Sequence, residues 1–170
     1  SKYQTISASL TAASYTDLSA SGTANCYIIK KAGSYKFKAN VKGNGVVTSA
    51  GLPSATGGIS GVKVYYTDGD NFLSGSLSYM DGYVYFTTVS GTLPIGTALV
   101  SVTDANGATL WSWHLWANRN VADVKLSNNQ TWLNMNLGAH QVAFNAEGYN
   151  GYYYQWGRKD PFQQAVGVNN

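Results

Sequence analysis

Two short Asx–Gly turns constrain the fold of this chain more than any other feature. Asp81-Gly82 and Asn106-Gly107 each lie between apolar runs, which cover residues 77–80, 83–86, 97–102 and 108–116. Asp-Gly and Asn-Gly tolerate the positive φ angles of the tight turns that join neighbouring antiparallel strands. The sequence therefore predicts two β-hairpins in the middle of the chain.

Alternating side chains predict another strand over residues 34–42. Every second residue is apolar there, and three lysines lie among the residues between them. A period of two places one set of side chains in the core and the other in water. The apolar run 26–30 precedes this strand, and the short connection 31–33 predicts that the two runs form a hairpin.

A tryptophan-rich run over residues 108–116 predicts a central strand. One face carries Trp111, Trp113 and Leu115. The other carries Leu110, Ser112, His114 and Trp116. Because the first face is apolar and the second is half apolar, we expect the core on one side and a partial cover on the other. The residues expected to lie mostly in the core are Tyr35, Phe37, Val41, Tyr83, Tyr85, Trp111 and Trp113.

The composition favours an all-β chain. Charged residues make up 11% and aromatic residues 14% of the sequence, and 19 glycines supply turns between short strands. Further strands are expected at 3–10, 62–66, 121–126 and 152–156. An irregular loop is expected at 43–61 and a turn of helix near 134–139. Several short strands separated by turn signals predict a β-sandwich, and the composition changes near residues 118–120.

Few residues are suited to catalysis or to metal binding. His114 and His140 are the only imidazoles and have no partners at metal-site spacing, and nucleophile and phosphate-binding motifs are missing. Residues 68–71 carry two aspartates that suit calcium, although a polar turn is the simpler interpretation. We therefore predict a non-enzymatic protein with no catalytic residue, no cofactor and no metal.

The charge and hydropathy of the chain limit the partners and the location that we expect. The net charge of +3 comes without a basic stripe, so nucleic acid is not an expected partner. No run of about 18 apolar residues is present, so we expect no transmembrane segment. Cys26 is the single cysteine and is expected to be a buried strand residue. A reactive thiol and an intermolecular disulfide remain its alternatives.

The aromatic C-terminal stretch is the candidate recognition site. The candidate recognition or packing anchors are Tyr154, Trp156, Arg158 and Phe162. Exposed aromatic side chains near an arginine make good binding hot spots, although the same residues also suit a core strand. We expect this stretch to fold back, with Trp156 and Phe162 anchored near Trp116. Arg158 is then expected to meet Asp160 or a backbone carbonyl.

Several blocks of this sequence resemble surface and fimbrillin-like proteins of the Bacteroidetes. The blocks span about residues 17–163 and comprise TANCYII, AGSYKF, DGYVYFTT, LWSWHLW, WLNMNLGA and YYQWGRKDPF. The last block is highly specific. Asn134 and Met135-Asn136 depart from the Asp-Arg of the family, which argues against a salt bridge there.

The resemblance implies an Ig-like antiparallel β-sandwich over residues 1–119. An irregular aromatic C-terminal extension would follow over residues 120–170, packed on the sandwich, as the start of a domain abundant in Fibrobacter succinogenes. It implies a secreted or cell-surface location and an adhesive or structural role, with glycan, protein or other subunits of a surface assembly as partners. The chain ends where longer relatives continue into a lectin-like region. This keeps one alternative open, a capsid or tail decoration protein of a phage that infects Bacteroidetes. A carbohydrate-binding module is a further alternative, which would need a row of exposed Trp or Tyr side chains.

Overall fold

The computed structural model of the chain describes residues 14–43, 52, 58–143 and 148–162. This part forms ten strands and no helix, and hence no helix that could cross a membrane. The strands are β1 (Thr16–Asp17), β2 (Cys26–Ile29), β3 (Ser34–Lys38), β4 (Gly61–Gly69), β5 (Leu73–Met80), β6 (Tyr83–Thr88), β7 (Gly96–Thr103), β8 (Thr109–Ala117), β9 (Asp123–Lys125) and β10 (Thr131–Leu133).

Two four-stranded sheets build a sandwich-like fold. Sheet A has the strand order β1-β3-β6-β5, and sheet B has the order β2-β8-β7-β4. The pairs β1–β3 and β2–β8 are parallel, the other pairs in the two sheets are antiparallel, and β9 and β10 form a separate ribbon. The all-β sandwich prediction is confirmed, whereas the narrower Ig-like assignment stays a prediction.

One apolar core lies between the two sheets. Its fully buried members include Phe37 and Val84 from sheet A and Val100, Trp113 and Leu115 from sheet B. Burial of each such side chain stabilises the fold by roughly 1.5–3 kcal/mol relative to exposure. The rings of Phe37 and Trp113 meet across the two sheets at 5.2 Å, so aromatic contacts hold the layers together.

The predicted core is right for three of its seven residues. Tyr35, Phe37 and Trp113 are buried. Val41 and Trp111 are only half-buried. The prediction was wrong for Tyr83 and Tyr85, which lie half-buried on the outer face of sheet A. Their neighbours Val84 and Phe86 point inward instead, and both alternating sets of β6 contain apolar groups, so periodicity could not choose between them.

Both predicted Asx–Gly hairpins are present. Asp81 and Gly82 have φ angles of 51° and 85°, as a type I′ turn requires, and they join β5 to β6. The loop 104–108 joins β7 to β8, and Gly107 has φ 80°. The Asp104 carboxylate accepts hydrogen bonds of 2.9 Å from the backbone N–H groups of Asn106 and Ala108.

The predicted hairpin between β2 and β3 is wrong. β2 pairs with β8 in sheet B, and β3 pairs with β6 in sheet A, so the connection between them crosses from one sheet to the other. Tyr27 of β2 and Phe37 of β3 face each other through the core, with ring centres 5.1 Å apart. Two alternating runs with a short connection satisfy either arrangement, because both bury one face.

Among the other expected elements, the strand at 62–66 is confirmed as part of β4, and only Asp123–Lys125 of 121–126 is a strand. Residues 152–156 form no strand and contribute an isolated bridge between Tyr153 and Phe162. The expected turn of helix at 134–139 is a hydrogen-bonded turn, with 2.9 Å between Ala139 N and Asn136 O. Residues 3–10 and most of 43–61 lie outside the described residues.

Candidate functional site

The outer face of β8 is buried although it faces away from the core. Ser112, His114 and Trp116 are all less than a tenth exposed. Two later stretches cover them, residues 121–139 and the C-terminal segment 148–162. This confirms the prediction of a central strand with a cover on its second side, since β8 also lies between β2 and β7.

The cover over Trp116 comes from the first of these stretches. Val121, Met135 and Ala139 pack against the fully buried indole, and its Nε1–H donates to the Ala139 carbonyl oxygen at 3.1 Å. The prediction that Trp156 and Phe162 anchor near Trp116 is therefore wrong for this contact. Smaller side chains that are closer in the sequence fill the space.

Asn118 and Gly138 position this cover beside the C-terminal segment. The buried Asn118 amide donates to the Ala139 carbonyl at 2.9 Å and accepts from the Asn120 N–H at 2.9 Å. Gly138 has φ +82°, and a Cβ atom there would lie 2.4 Å from the ring of Tyr152. Only glycine combines this conformation with so close an approach, so Tyr152 rests directly on the turn.

Hydrogen bonds of Tyr152 and Tyr66 attach the C-terminal segment to strands β4 and β7 of sheet B. The Tyr152 hydroxyl is hydrogen-bonded to Thr97 and donates to Asp68 Oδ2 at 3.0 Å, and the Tyr66 hydroxyl donates to the Pro161 carbonyl at 3.2 Å. Burial, with help from two nearby carboxylates, raises the pKa of Tyr66 to about 12. Asp68 is thus a hydrogen-bond acceptor for the segment. The described residues contain no group of three side chains that could hold a metal ion.

A polar clasp of Ser112, Lys159 and Asp160 fixes the centre of the segment to β8. The Ser112 hydroxyl donates to the Asp160 carboxylate at 2.8 Å, and Lys159 Nζ lies 2.5 Å from Asp160 Oδ1. Lys159 also donates to the Ser112 carbonyl at 2.9 Å and to its hydroxyl oxygen. Ser112 is only 4% exposed, so its hydroxyl lies buried beneath the segment and helps to fix it to β8.

His114 and Cys26 form a second contact under the segment. Cys26 Sγ and the Tyr154 hydroxyl each lie 3.5 Å from His114 Nδ1. Burial lowers the pKa of His114 to about 4 and raises the pKa of Cys26 to about 12. Both groups are therefore neutral at physiological pH. This is the opposite of the thiolate and imidazolium that an activated nucleophile needs.

The outward side of the segment forms an aromatic loop, residues 153–162. An antiparallel bridge closes it, with the Phe162 N–H donating to the Tyr153 carbonyl at 2.9 Å. At its tip the Arg158 N–H donates to the Gln155 carbonyl at 3.0 Å, and Gly157 has φ +78°. This turn holds Trp156 in solvent, where it is 91% exposed.

The four predicted recognition or packing residues divide between two roles. Tyr154 is 42% exposed and turns its hydroxyl toward His114, whereas Trp156 projects into solvent. Arg158 stacks on Phe162, with 4.2 Å from Cζ to the ring centre. The expected contact from Arg158 to Asp160 is wrong, because Lys159 takes that carboxylate. The recognition role of the four residues stays a prediction.

Other aromatic side chains face outward without having been predicted to do so. Lys36 Nζ lies 4.7 Å from the ring centre of Tyr83 on the outer face of sheet A, and Tyr85 lies beside them. On β10, Trp132 is 60% exposed. The lysine-rich face of β3 was visible in the sequence, but only the register that pairs Lys36 with Tyr85 places the tyrosines there.

No protein-family model matches the chain, and neither a curated protein nor a solved structure is significantly similar to it.

Proposed function

We propose that this protein is a non-enzymatic structural or adhesion module of a secreted or cell-surface assembly, such as a fimbrial or outer-surface subunit. In this proposal the aromatic loop contacts a glycan or a protein ligand. The observation that carries the proposal is the 91% exposure of Trp156 on a loop that is otherwise fixed to sheet B. The resemblance of the sequence blocks to Bacteroidetes surface proteins supports the location.

The energetics of the loop favour recognition over packing. An indole in water leaves a large apolar surface uncovered, and tryptophan and arginine are enriched among the residues that dominate binding energy. The Gln155–Arg158 hydrogen bond, the Tyr153–Phe162 bridge and the clasp on Ser112 already order the backbone. A ligand would therefore lose little affinity to the entropy of ordering the loop.

The interior chemistry is consistent with a binding role. The clasp places its serine under the loop, and the His114–Cys26 pair is neutral. Polar groups beneath the segment hold it in place, and the outward side chains remain available for a ligand. The module would thus act through the surface that it presents.

The test is a binding screen of the full chain against a glycan array and a panel of extracellular proteins. Trp156→Ala is expected to lose roughly 30-fold in affinity for any ligand found, as hot-spot truncations of about 2 kcal/mol do. Trp132→Ala is the matched control, because it removes another exposed tryptophan from β10. Unchanged binding by both variants would contradict a contact surface on the loop.

A further inference from the structure

Arg158 is a charged group of the aromatic loop that lacks an ionic partner. Within the described part of the chain its guanidinium makes no hydrogen bond or ion pair, and it lies over the ring of Phe162, with 4.2 Å from Cζ to the ring centre. Asp160, two residues away, is engaged by Lys159 at 2.5 Å and by Ser112 at 2.8 Å. Among the described residues, therefore, no carboxylate forms an ion pair with Arg158.

Stacking on Phe162 prepares Arg158 to bind an anion. A guanidinium that rests on an aromatic ring keeps its plane, and its N–H groups remain directed outward along the edges. Planar donors of this kind match the two oxygens of a carboxylate in a bidentate pair. Because the contact with Phe162 restricts the Arg158 side chain, less side-chain entropy is lost when such a pair forms.

The turn at the tip of the loop places the exposed indole of Trp156 close in sequence to the Arg158 guanidinium. Trp156 and Arg158 lie two residues apart in the turn that the Arg158–Gln155 hydrogen bond closes. Tyr153 is 57% exposed, and its hydroxyl has no hydrogen-bond partner among the residues described. The loop therefore offers an aromatic face, a free hydroxyl and a free planar cation within one short stretch.

We propose that the aromatic loop binds a glycan that carries a carboxylate, such as a uronic acid residue. The sugar ring lies against Trp156, the carboxylate pairs with Arg158, and the Tyr153 hydroxyl is free to meet a sugar hydroxyl. This inference rests on the proposed function of the loop and adds the chemical class of the ligand. The inference predicts that glycan binding requires both the aromatic ring of Trp156 and the guanidinium of Arg158.

The size of the surface favours a sugar over a protein partner. A stable protein interface buries about 800 Å² on each side and uses roughly 20–30 residues. The outward face of the loop consists mainly of Tyr153, Trp156, Arg158 and Phe162. A few rings and one charge suffice for one or two sugar residues, which present an apolar face and a few polar groups.

The experiment measures binding of the full chain to polygalacturonate and to the same polymer after reduction of its carboxyl groups. We expect wild type to prefer polygalacturonate by roughly tenfold to a hundredfold, the range for a hydrogen bond to a charged group. Arg158→Gln should lose that preference and bind both polymers alike. Trp156→Ala should weaken binding to both. Lys125→Gln, on the exposed strand β9, is the charge control and should behave as wild type.

Three outcomes would overturn the inference. Equal binding to both polymers by wild type, lost only in Trp156→Ala, would refute the carboxylate and leave the proposed function intact. Stronger, Arg158-dependent binding to dextran sulfate would assign the site to sulfated glycans instead. If wild type binds neither polymer but Trp156 is needed for a protein ligand in the screen, the glycan assignment fails while the recognition role stands.

Discussion

The outer faces of the two sheets lie in different surroundings. On sheet A, the outward side chains of β5 and β6 stay exposed or half-buried, with Met80 at 56% exposure. On sheet B, the outward side chains of β8 are buried beneath residues 121–139 and the C-terminal segment. The same alternating pattern thus leads to an open face on one sheet and a second interior on the other.

The difference between the two faces lies in how their polar side chains are satisfied. On sheet A, Lys36 lies over tyrosine rings and its ammonium can remain hydrated. On sheet B, buried polar groups depend on protein partners, and Ser112 finds them in the clasp. His114 Nε2 and Ser101 Oγ have none within the described residues, so burial there carries a cost. We expect substitutions on the covered face to matter more than those on the open face.

The largest effect is expected in the core that both faces share. Trp113→Ala removes a side chain that is 1% exposed and should destabilise the protein by about 3–5 kcal/mol, enough to unfold or nearly unfold it. Thermal and urea denaturation measure this change. Trp113→Phe should lose less, because it keeps most of the apolar volume and removes an indole N–H that has no hydrogen-bond partner among the described residues. A Trp113→Ala protein that melts within a few degrees of wild type would refute the core placement.

The direct test of the comparison replaces one aromatic residue on each outer face. Trp116→Ala on the covered face should destabilise the protein by about 3 kcal/mol, because it removes a fully buried indole and its hydrogen bond to the Ala139 carbonyl. Tyr85→Ala on the open face should cost about 1 kcal/mol, because the ring is half-buried and contacts mainly Tyr15 and Tyr83. Urea denaturation of both variants gives the two values. Equal losses would remove the distinction between the faces.

Acid should weaken the covered face through His114. Burial lowers its folded-state pKa to about 4 from 6.5, so the unfolded chain takes up the proton first as the pH falls. The contribution of neutral His114 to the free energy of unfolding is fully present above pH 6.5. It is lost between about pH 6.5 and pH 4 and amounts to on the order of 3 kcal/mol. His114→Gln should lose less stability than wild type between these pH values.

The clasp should give a smaller, local effect. Asp160→Asn weakens the contacts to Lys159 and Ser112, and we expect a loss of roughly 1 kcal/mol, because the charged side chains are 24% and 25% exposed. Trypsin should then cut faster after Arg158 or Lys159 under native conditions, as mass spectrometry of the fragments can map. Asp123→Asn on exposed β9 should leave these sites as protected as in wild type. Rapid cleavage in wild type, with no loss of stability in the trimmed protein, would argue against the clasp.

The smallest effect concerns the Cys26 thiol. Burial raises its pKa to about 12, so the reactive thiolate is scarce at neutral pH. Iodoacetamide should modify Cys26 slowly in native buffer and quickly in urea at the same pH, with mass spectrometry as the readout. Similar rates in both would contradict the assignment of a protected thiol. Cys26→Ser should cost only about 1 kcal/mol, since the side chain is partly rather than fully buried.

Local chemistry in the sequence was sufficient for the all-β fold, the two Asx–Gly hairpins and the central position of β8. Asp81-Gly82 shows why, because the turn type depends on the two residues that form it. The aromatic loop was also visible as a candidate site, since its residues are consecutive in the chain. The division of the chain at residues 119 and 120 stays a prediction.

The tertiary structure decided which surfaces meet. It placed β2 and β3 in different sheets, put Met135 rather than Trp156 over Trp116, and gave Asp160 to Lys159 rather than to Arg158. In each of these three cases, two groups of similar chemical type could have occupied the same position, so residue type alone does not decide between them. Alternation shows that a side chain has an inner and an outer face, but the partner that covers it is set by packing of segments distant in sequence. For that physical reason the strands follow from the sequence, whereas the exposure of Trp156 follows only from the fold.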